Sequence, residues 1–267
     1  KGVFMKKSNL RLLAFVLFLV LAQNSIAANK VQEGNGSEAA SDETVAVGLS
    51  YTDGVNVYKN IAGNPAKPAE KYYATAIGIA NKASGKESSA FGYKNTASGY
   101  WSSAFGFSNK ASGFMSSAFG YNNKAIGGGS SAFGHWNITK GINSSAFGFT
   151  NEASGVYSSA FGSEYKVTGN YSGAFGVGKA NFNLATGKND YDYVNEGKYS
   201  YMFGNYNKIA AGTQNNFILG NNVSIANGIS NSVVLGNGST VSSSNEVSVG
   251  SKGKERKITN VGDGVVS

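Results

Sequence analysis

The chain has 267 residues, of which 37 are glycine and 2 are proline, with no cysteine and a charged fraction of only 14%. This composition, with no 3.6-residue apolar periodicity after residue 30, argues against a helical fold and excludes a disulfide framework. The formal net charge of +8 falls to +4 without residues 1–27, which is too mild and too evenly spread for a nucleic-acid interface, because no basic run is interleaved with stacking aromatics.

The first 27 residues have the pattern of an export signal. Met5 is followed by three basic residues, by an apolar run over 12–22 and by a small-residue sequence ending at Ala27. The run is too short to cross a bilayer, which needs about 20 residues; a retained membrane anchor is the alternative. We therefore predict a signal peptide over 1–27, an exported protein of net charge +4, and a disordered or linker segment over 28–43.

A strict fourteen-residue repeat follows, in which each copy reads S-S-A-F-G and then N-x-A-S-G. Fourteen residues suffice for two short strands and two turns, so the repeat predicts an all-β fold with one coil of a parallel β-solenoid per copy. Looser copies extend the pattern, and inserted loops are predicted over 51–74 and 178–201. The phenylalanine position of the repeat is occupied first by isoleucine and then by seven phenylalanines: Ile77, Phe91, Phe105, Phe119, Phe133, Phe147, Phe161 and Phe175.

Strand alternation predicts where the repeated phenylalanine points. A coil this small has almost no interior, so it can turn only Ser88, Ala90 and Gly92 inward, which leaves Phe91 outward. A bare stripe of stacked phenylalanines would be a large apolar patch for a soluble monomer. We therefore expect identical chains to bury their stripes against one another in a closed oligomer. A monomeric solenoid whose phenylalanines form its own core is the alternative.

The repeat and the C-terminal sequence together resemble a known family. The motif S-x-A-x-G, as in 88–92, and the sequence NEVSVG over 245–250 followed by ERKITNV over 255–261, are similar to the YadA-like head of trimeric autotransporter adhesins and the start of its neck. The resemblance implies a left-handed parallel β-roll over 44–244, a neck-like segment over 245–267, and a parallel homotrimer. The trimer core would then be Phe91, Phe105, Phe119, Phe133, Phe147, Phe161 and Phe175.

The same resemblance implies a location and a class of partner. It predicts attachment to the bacterial outer membrane through a stalk and an anchor that are not in this chain, and so a position at the cell surface. It also implies binding to a host cell-surface or extracellular-matrix protein, such as collagen, fibronectin or a carcinoembryonic-antigen-related cell-adhesion molecule. Nothing in the sequence chooses among these partners.

Catalysis is poorly supported by the residues. His135 is the single histidine, so metal triads and nucleophile–histidine pairs have at most one member, and His135 occupies the aromatic column of Tyr93 and Phe107. We predict no catalytic residue, no metal and no cofactor. The carboxylates Asp190, Asp192 and Glu196 share one loop and could bind a cation, although a solvated loop is the commoner role.

Exposed aromatics in turns are the candidate binding residues, because a turn has no structural need for large apolar groups and Tyr and Trp often anchor protein interfaces. Shielding of a neighbouring coil or subunit is the alternative role. A self-associating surface protein that mediates bacterial autoaggregation is the alternative function, and a solenoid glycan-acting enzyme is a weaker one. The candidates are Tyr100, Trp101, Phe114, Met115, Trp136, Tyr157, Tyr171, Tyr191, Tyr193 and Tyr199.

Overall fold

A computed structural model of the chain describes residues 31–34, 37–52 and 57–262. The predicted signal peptide over 1–27 lies outside the described residues, as do 263–267 at the end of the predicted neck. The described residues form strands and turns without any helix, so among them no helix is long and apolar enough to cross a membrane. The chain divides into two compact units, Lys1–Ser112 and Gly113–Ser267.

Unit 1, Lys1–Ser112, is a parallel β-solenoid in its described part. Its strands are β1 (Val31–Glu33), β2 (Ser37–Ala39), β3 (Val45–Leu49), β4 (Tyr51–Thr52), β5 (Val57–Tyr58), β6 (Asn60–Ala62), β7 (Thr75–Ile79), β8 (Lys82–Ala83), β9 (Ser89–Tyr93), β10 (Thr96–Ala97), β11 (Ser103–Phe107) and β12 (Lys110–Ala111). The longer strands form its main sheet in the order β1-β3-β7-β9-β11, and the shorter ones form its second sheet in the order β2-β6-β8-β10-β12. An antiparallel pair, β4 and β5, branches from the solenoid.

Unit 2, Gly113–Ser267, repeats this architecture. Its strands are β13 (Ser117–Tyr121), β14 (Lys124–Ala125), β15 (Ser131–His135), β16 (Ile138–Thr139), β17 (Ser145–Phe149), β18 (Glu152–Ala153), β19 (Ser159–Ser163), β20 (Lys166–Val167), β21 (Gly173–Val177), β22 (Ala180–Asn183), β23 (Lys188–Tyr191), β24 (Val194–Asn195), β25 (Tyr201–Phe203), β26 (Lys208–Ile209), β27 (Phe217–Leu219), β28 (Ser224–Ile225), β29 (Val233–Leu235) and β30 (Val247–Ser248). The main sheet runs β13-β15-β17-β19-β21-β25-β27-β29-β30, and the second sheet runs β14-β16-β18-β20-β24-β26-β28. The antiparallel hairpin β22–β23 stands apart from both sheets.

The pairing register confirms the predicted coil. Within unit 2 each strand of the repeat block pairs in parallel with the strand fourteen residues later, so that Ala132 lies beside Ala146 and Phe133 beside Phe147. The step widens where the repeat loosens, as in the pairing of Phe175 with Phe203. The all-β, parallel β-solenoid fold expected from the sequence is therefore the fold of the described chain.

The inner columns of the coils hold small side chains, and their asparagines are hydrogen-bonded to the backbone. The Ala column, which includes Ala132, is completely buried, and a buried asparagine follows it in each regular coil. The Nδ2 of Asn137 donates to the carbonyl oxygens of Phe133 (2.8 Å) and Gly148 (2.7 Å), and its Oδ1 accepts from the backbone N–H of Asn151 at 3.0 Å. These asparagines satisfy backbone groups near the end of each main-sheet strand that would otherwise be buried without partners.

The interior of unit 2 becomes more apolar beyond the regular coils, where the asparagine column is interrupted at Tyr165 before it recurs at Asn207. Tyr165 takes the asparagine position and is fully buried. Its hydroxyl donates to the carbonyl oxygen of Gly204 at 2.9 Å and accepts from the N–H of Asn207 at 3.1 Å, and burial raises the pKa of Tyr165 to about 12. In the coils beyond it, the Ala column holds Met202, Ile218 and Val234, all fully buried.

Two expectations about the chain's segments differ from the structure. β1 and β2 lie inside 28–43, where a disordered or linker segment was expected, and both pair in parallel with later coils because they carry the solenoid's register. The loops expected over 51–74 and 178–201 each contain a strand of the second sheet, β6 and β24. The parts that leave the solenoid's sheets are therefore shorter than expected.

The repeat glycine after the phenylalanine does not point into the interior. Ser88 and Ala90 are buried as expected, but Gly92 is exposed and has a φ of +112°. Gly134 in unit 2 is half-buried and has a φ of +108°. A Cβ at Gly134 would overlap the carbonyl oxygen of Gly148 in the next coil, so this position serves close backbone approach.

Candidate functional site

The repeated phenylalanines form stacked ladders on the outward face of each main sheet. In unit 2, Phe119, Phe133, Phe147 and Phe161 stack with centroids 4.7–4.8 Å apart and planes within 6° of parallel. In unit 1, Phe91 and Phe105 stack at 4.7 Å, and the unit 2 ladder continues through Phe175 to Phe203. Each of the seven predicted rings is half-buried in the single chain, so each keeps apolar surface for further contact.

A second aromatic column lies two residues further along several strands of the repeat block, at Tyr93, Phe107, Tyr121 and Phe149. Tyr93 and Phe107 stack at 4.9 Å in unit 1. In unit 2, Trp136 lies 6.4 Å from Tyr121 and 6.2 Å from Phe149, so its indole fills the aromatic column at the level of the smaller His135. In the sequence this column accounts for the position of His135. The same fourteen-residue period could have identified it as an aromatic surface.

The turn before each main-sheet strand contains a residue in the left-handed conformation, which we call the corner position. Six corner residues are large and 41–56% exposed, with φ between 47° and 57°: Tyr73, Trp101, Met115, Tyr157, Tyr171 and Tyr199. This conformation costs a residue other than Gly, Asn or Asp about 1–2 kcal/mol. Two other coils place Glu43 and Glu87 at the equivalent position, and the rest place the tolerant residues Gly129, Asn143, Asn215, Asn231 and Asn245 there. The large side chains are therefore not what the turn itself requires.

Three corner tyrosines form a continuous row in unit 2, the tyrosine stack. Tyr171 lies 5.2 Å from Tyr157 and 5.2 Å from Tyr199, with interplanar angles of 13° and 24°. The Nζ of Lys198 lies 4.9 Å from the ring centroid of Tyr199. Since neighbouring rings cover each other's faces, the stack presents ring edges and hydroxyl groups to solvent.

The turn candidates outside the tyrosine stack are also exposed, and one of them has a fixed orientation. Tyr100, Phe114 and Met115 each expose about half of their surface. The indole N–H of Trp101 donates to Oε2 of Glu87 at 2.7 Å, which orients a ring that is still 48% exposed.

Two predicted site residues are placed differently from the others. The hydroxyl of Tyr191 is buried without a hydrogen-bond partner, and burial, with the nearby carboxylate of Glu152, raises its pKa. Tyr193 packs against the core cluster of unit 2 and contacts Tyr206 at 5.3 Å. The hairpin β22–β23 exposes Phe182 and Leu184 instead. Tyr191 and Tyr193 therefore belong to the packing of this segment, and we remove them from the candidate surface.

The carboxylates of the same segment are engaged separately. Asp190 accepts a hydrogen bond from Asn183 at 2.8 Å, and Asp192 lies 3.5 Å from the Nζ of Lys179. Among the residues that the structure describes, no group of three or more His, Asp or Glu side chains is arranged to hold a metal ion.

One carboxylate in unit 2 is buried and paired. Oε1 of Glu152 lies 2.7 Å from the Nζ of Lys140 and 3.6 Å from that of Lys166, and accepts from the Ser154 hydroxyl at 2.7 Å. Burial alone would raise the pKa of Glu152, but the hydrogen bonds from Lys140 and Ser154 and the charge of Lys166 outweigh it. The pKa of Glu152 is therefore below its ordinary value.

This depressed pKa predicts how stability changes in acid. Ionised Glu152 stabilises unit 2 above the carboxyl's unfolded pKa, about 4.3, and that contribution is lost as the pH falls through the lower folded value. The melting temperature of the wild type should fall more steeply between about pH 5 and pH 3 than that of Glu152→Gln. Thermal unfolding followed by circular dichroism at each pH measures both curves. Parallel curves would contradict the assignment.

The fold and its outer surface define a parallel β-solenoid that displays stacked aromatics. The family model described as YadA head domain repeat (2 copies) matches residues 69–95, 83–109, 111–135 and 140–164. The matched residues therefore carry YadA head repeats, and the β-solenoid that they form is consistent with a YadA-like trimeric autotransporter adhesin head. This family consists of surface-exposed outer-membrane adhesins and is not an enzyme family. A comparison with curated proteins finds no significant match.

Proposed function

We propose that this chain is the head of a homotrimeric adhesin, exported to the bacterial surface, that binds a host cell-surface or extracellular-matrix protein through its corner aromatics. The observation that carries the proposal is the left-handed conformation of Trp101, Met115, Tyr157, Tyr171 and Tyr199. Exposed large residues held in a costly conformation that asparagine or glycine would relieve point to a use outside the fold.

Stacking makes the corner tyrosines a suitable interface anchor. Side chains that are already ordered lose little conformational entropy on binding, and tyrosine combines apolar contact with a hydroxyl that can donate or accept. Three identical subunits would present the tyrosine stack three times, so modest affinities at each site would combine through avidity. The half-buried phenylalanine ladder supports the trimer, because its exposed apolar edge is available to neighbouring subunits.

The proposal predicts a loss of binding without a loss of stability. The triple variant Tyr157→Asn/Tyr171→Asn/Tyr199→Asn places at each of these three corners the residue type that Asn143 provides in another coil of unit 2. Binding of the full chain to epithelial cells and to immobilised collagen and fibronectin should weaken at least about tenfold in total, as expected for lost aromatic anchors. The melting temperature of the triple variant should stay the same or rise, because asparagine tolerates the left-handed conformation.

The control replaces an exposed aromatic outside the corners, as in Phe182→Asn, and should keep full binding. If the triple variant binds cells and both matrix proteins like the wild type, the corner aromatics are not the binding surface. A clumping assay with bacteria that display each variant addresses the alternative function. Loss of clumping with unchanged host binding would assign the corner aromatics to autoaggregation instead of host binding.

A further inference from the structure

The outward face of the second sheet in unit 1 carries positive charge that the protein does not neutralise. Thr96 of β10 pairs in register with Lys82 of β8 on one side and with Lys110 of β12 on the other. Both lysines are exposed, and in the described part of unit 1 neither lies within ion-pair distance of a carboxylate. We call Lys82, Thr96 and Lys110 the lysine row.

In unit 2 the equivalent column also contains exposed lysines outside ion-pair distance of a carboxylate among the described residues, Lys124 and Lys208, but its middle part is neutralised. There Glu152 pairs in register with Lys166 and forms ion pairs with both Lys140 and Lys166. In unit 1 the nearest carboxylate along the same column, Glu38, is separated from Lys82 by Ile61 and is paired with Lys59 at 3.2 Å. The lysine row therefore presents its charge to solvent.

Hydroxyl groups flank the row. Ser84, Ser98 and Ser112 each follow a strand of the row by one residue and are at least partly exposed. No hydrogen bond from these three hydroxyls is found within the described residues, so they are available to a ligand. Ammonium groups combined with free hydroxyls match a ligand rich in both anions and hydroxyl groups.

The spacing of the row matches a repeating ligand. Adjacent strands lie about 4.8 Å apart, so Lys82 and Lys110 are separated by roughly 10 Å along the solenoid. In an extended acidic polysaccharide, the anionic group of a uronic acid recurs once per disaccharide, which is close to this distance. A chain lying along the coils would place one anionic group near each lysine and its hydroxyls near Thr96 and the serines.

We propose that the lysine row of unit 1 binds an extended acidic polysaccharide of the glycosaminoglycan type. This site is separate from the corner aromatics and does not depend on the protein-binding function proposed for them. Two lysines per chain give weak electrostatic attraction that salt screens, so binding should be strongest at low ionic strength. Neutral polysaccharides should not bind, because they lack the anionic group.

The test measures binding of the full chain to immobilised heparin, hyaluronan and neutral dextran at low and at physiological salt. The wild type should bind heparin, hyaluronan or both, but not dextran, and Lys82→Gln/Lys110→Gln should weaken that binding about tenfold at low salt. Thr96→Glu should weaken it similarly by giving the lysines the partner that Glu152 provides in unit 2. Circular dichroism verifies that each variant remains folded.

The matched control, Lys188→Gln/Lys208→Gln, removes the same charge from two exposed lysines of unit 2 and should keep wild-type binding. Equal losses of polysaccharide binding in the two double variants would show that the effect depends only on net charge, which would overturn the proposal. Absence of wild-type binding to either acidic polysaccharide at low salt would also overturn it. The corner variant with three asparagines should bind these polysaccharides normally, which separates this site from the protein-binding surface.

Discussion

Gly134→Ala is expected to unfold the regular coils of unit 2 at temperatures where the wild type is fully folded. Gly134 has a φ of +108°, where an L side chain is strained, and its Cβ would overlap the carbonyl oxygen of Gly148. That carbonyl accepts from the Nδ2 of Asn137 at 2.7 Å, so any backbone shift that relieves the overlap also disturbs the asparagine column. The combined cost should be on the order of 4 kcal/mol or more.

A neighbouring glycine provides the matched control. Gly128 lies in the same coil with φ outside the positive range, and the nearest atom to a Cβ there is the carbonyl oxygen of Phe114 at 3.8 Å. Gly128→Ala should therefore unfold like the wild type, or slightly later, because alanine restricts the unfolded chain. Thermal and urea unfolding compare the three proteins. Equal destabilisation by the two substitutions would show that close backbone approach at Gly134 is not the cause.

Phe119→Asp/Phe133→Asp should separate the proposed trimer into folded single chains. The two rings stack at 4.8 Å on the outward face and are half-buried in one chain, so aspartate there can remain hydrated in a monomer. In a trimer that buries the ladder, each unpaired carboxylate would cost on the order of 3 kcal/mol. The inner alanine and asparagine columns are untouched, so the β-sheet signal should persist.

Light scattering measures the outcome as mass. The wild type should give about three times the single-chain mass, and the double variant should give the single-chain mass at the same concentration. Phe182→Asp, which adds the same charge on the exposed hairpin, should leave the trimer intact. A double variant that stays trimeric and equally heat-stable would place the phenylalanine ladder outside the subunit interface.

The regular coils were predictable because each position repeats under the same constraint. Alternation in Ser-Ala-Phe placed Ala90 inward and Phe91 outward, and the structure agrees for both. Prediction from the fourteen-residue period was wrong where the sequence no longer repeats. Tyr191 and Tyr193 lie in a non-repeating hairpin segment, so no second copy revealed that their side chains turn toward the body of unit 2.

The corner position shows a different limit of sequence reasoning. The sequence identifies the turn candidates only by their large apolar groups, which do not reveal their backbone conformation. Their left-handed conformation follows from the backbone path between two sheets and cannot be seen in Tyr157 or Tyr171 alone. Asn143 at the equivalent position was the available signal, since asparagine favours that conformation. Comparison along the column, rather than of neighbouring residues, would have found it.

The exact register of the coils has a genetic consequence. Because Ala132 lies on Ala146 and Asn137 contacts Asn151, a fourteen-residue segment could be duplicated or deleted between equivalent positions and the new junction would still place alanine on alanine and asparagine beside asparagine. Recombination between the stretches of coding sequence that encode these repeats would then lengthen or shorten unit 2 by one strand spacing, about 4.8 Å, in each event. Head length can thus vary among descendants while the interior needs no compensating substitution.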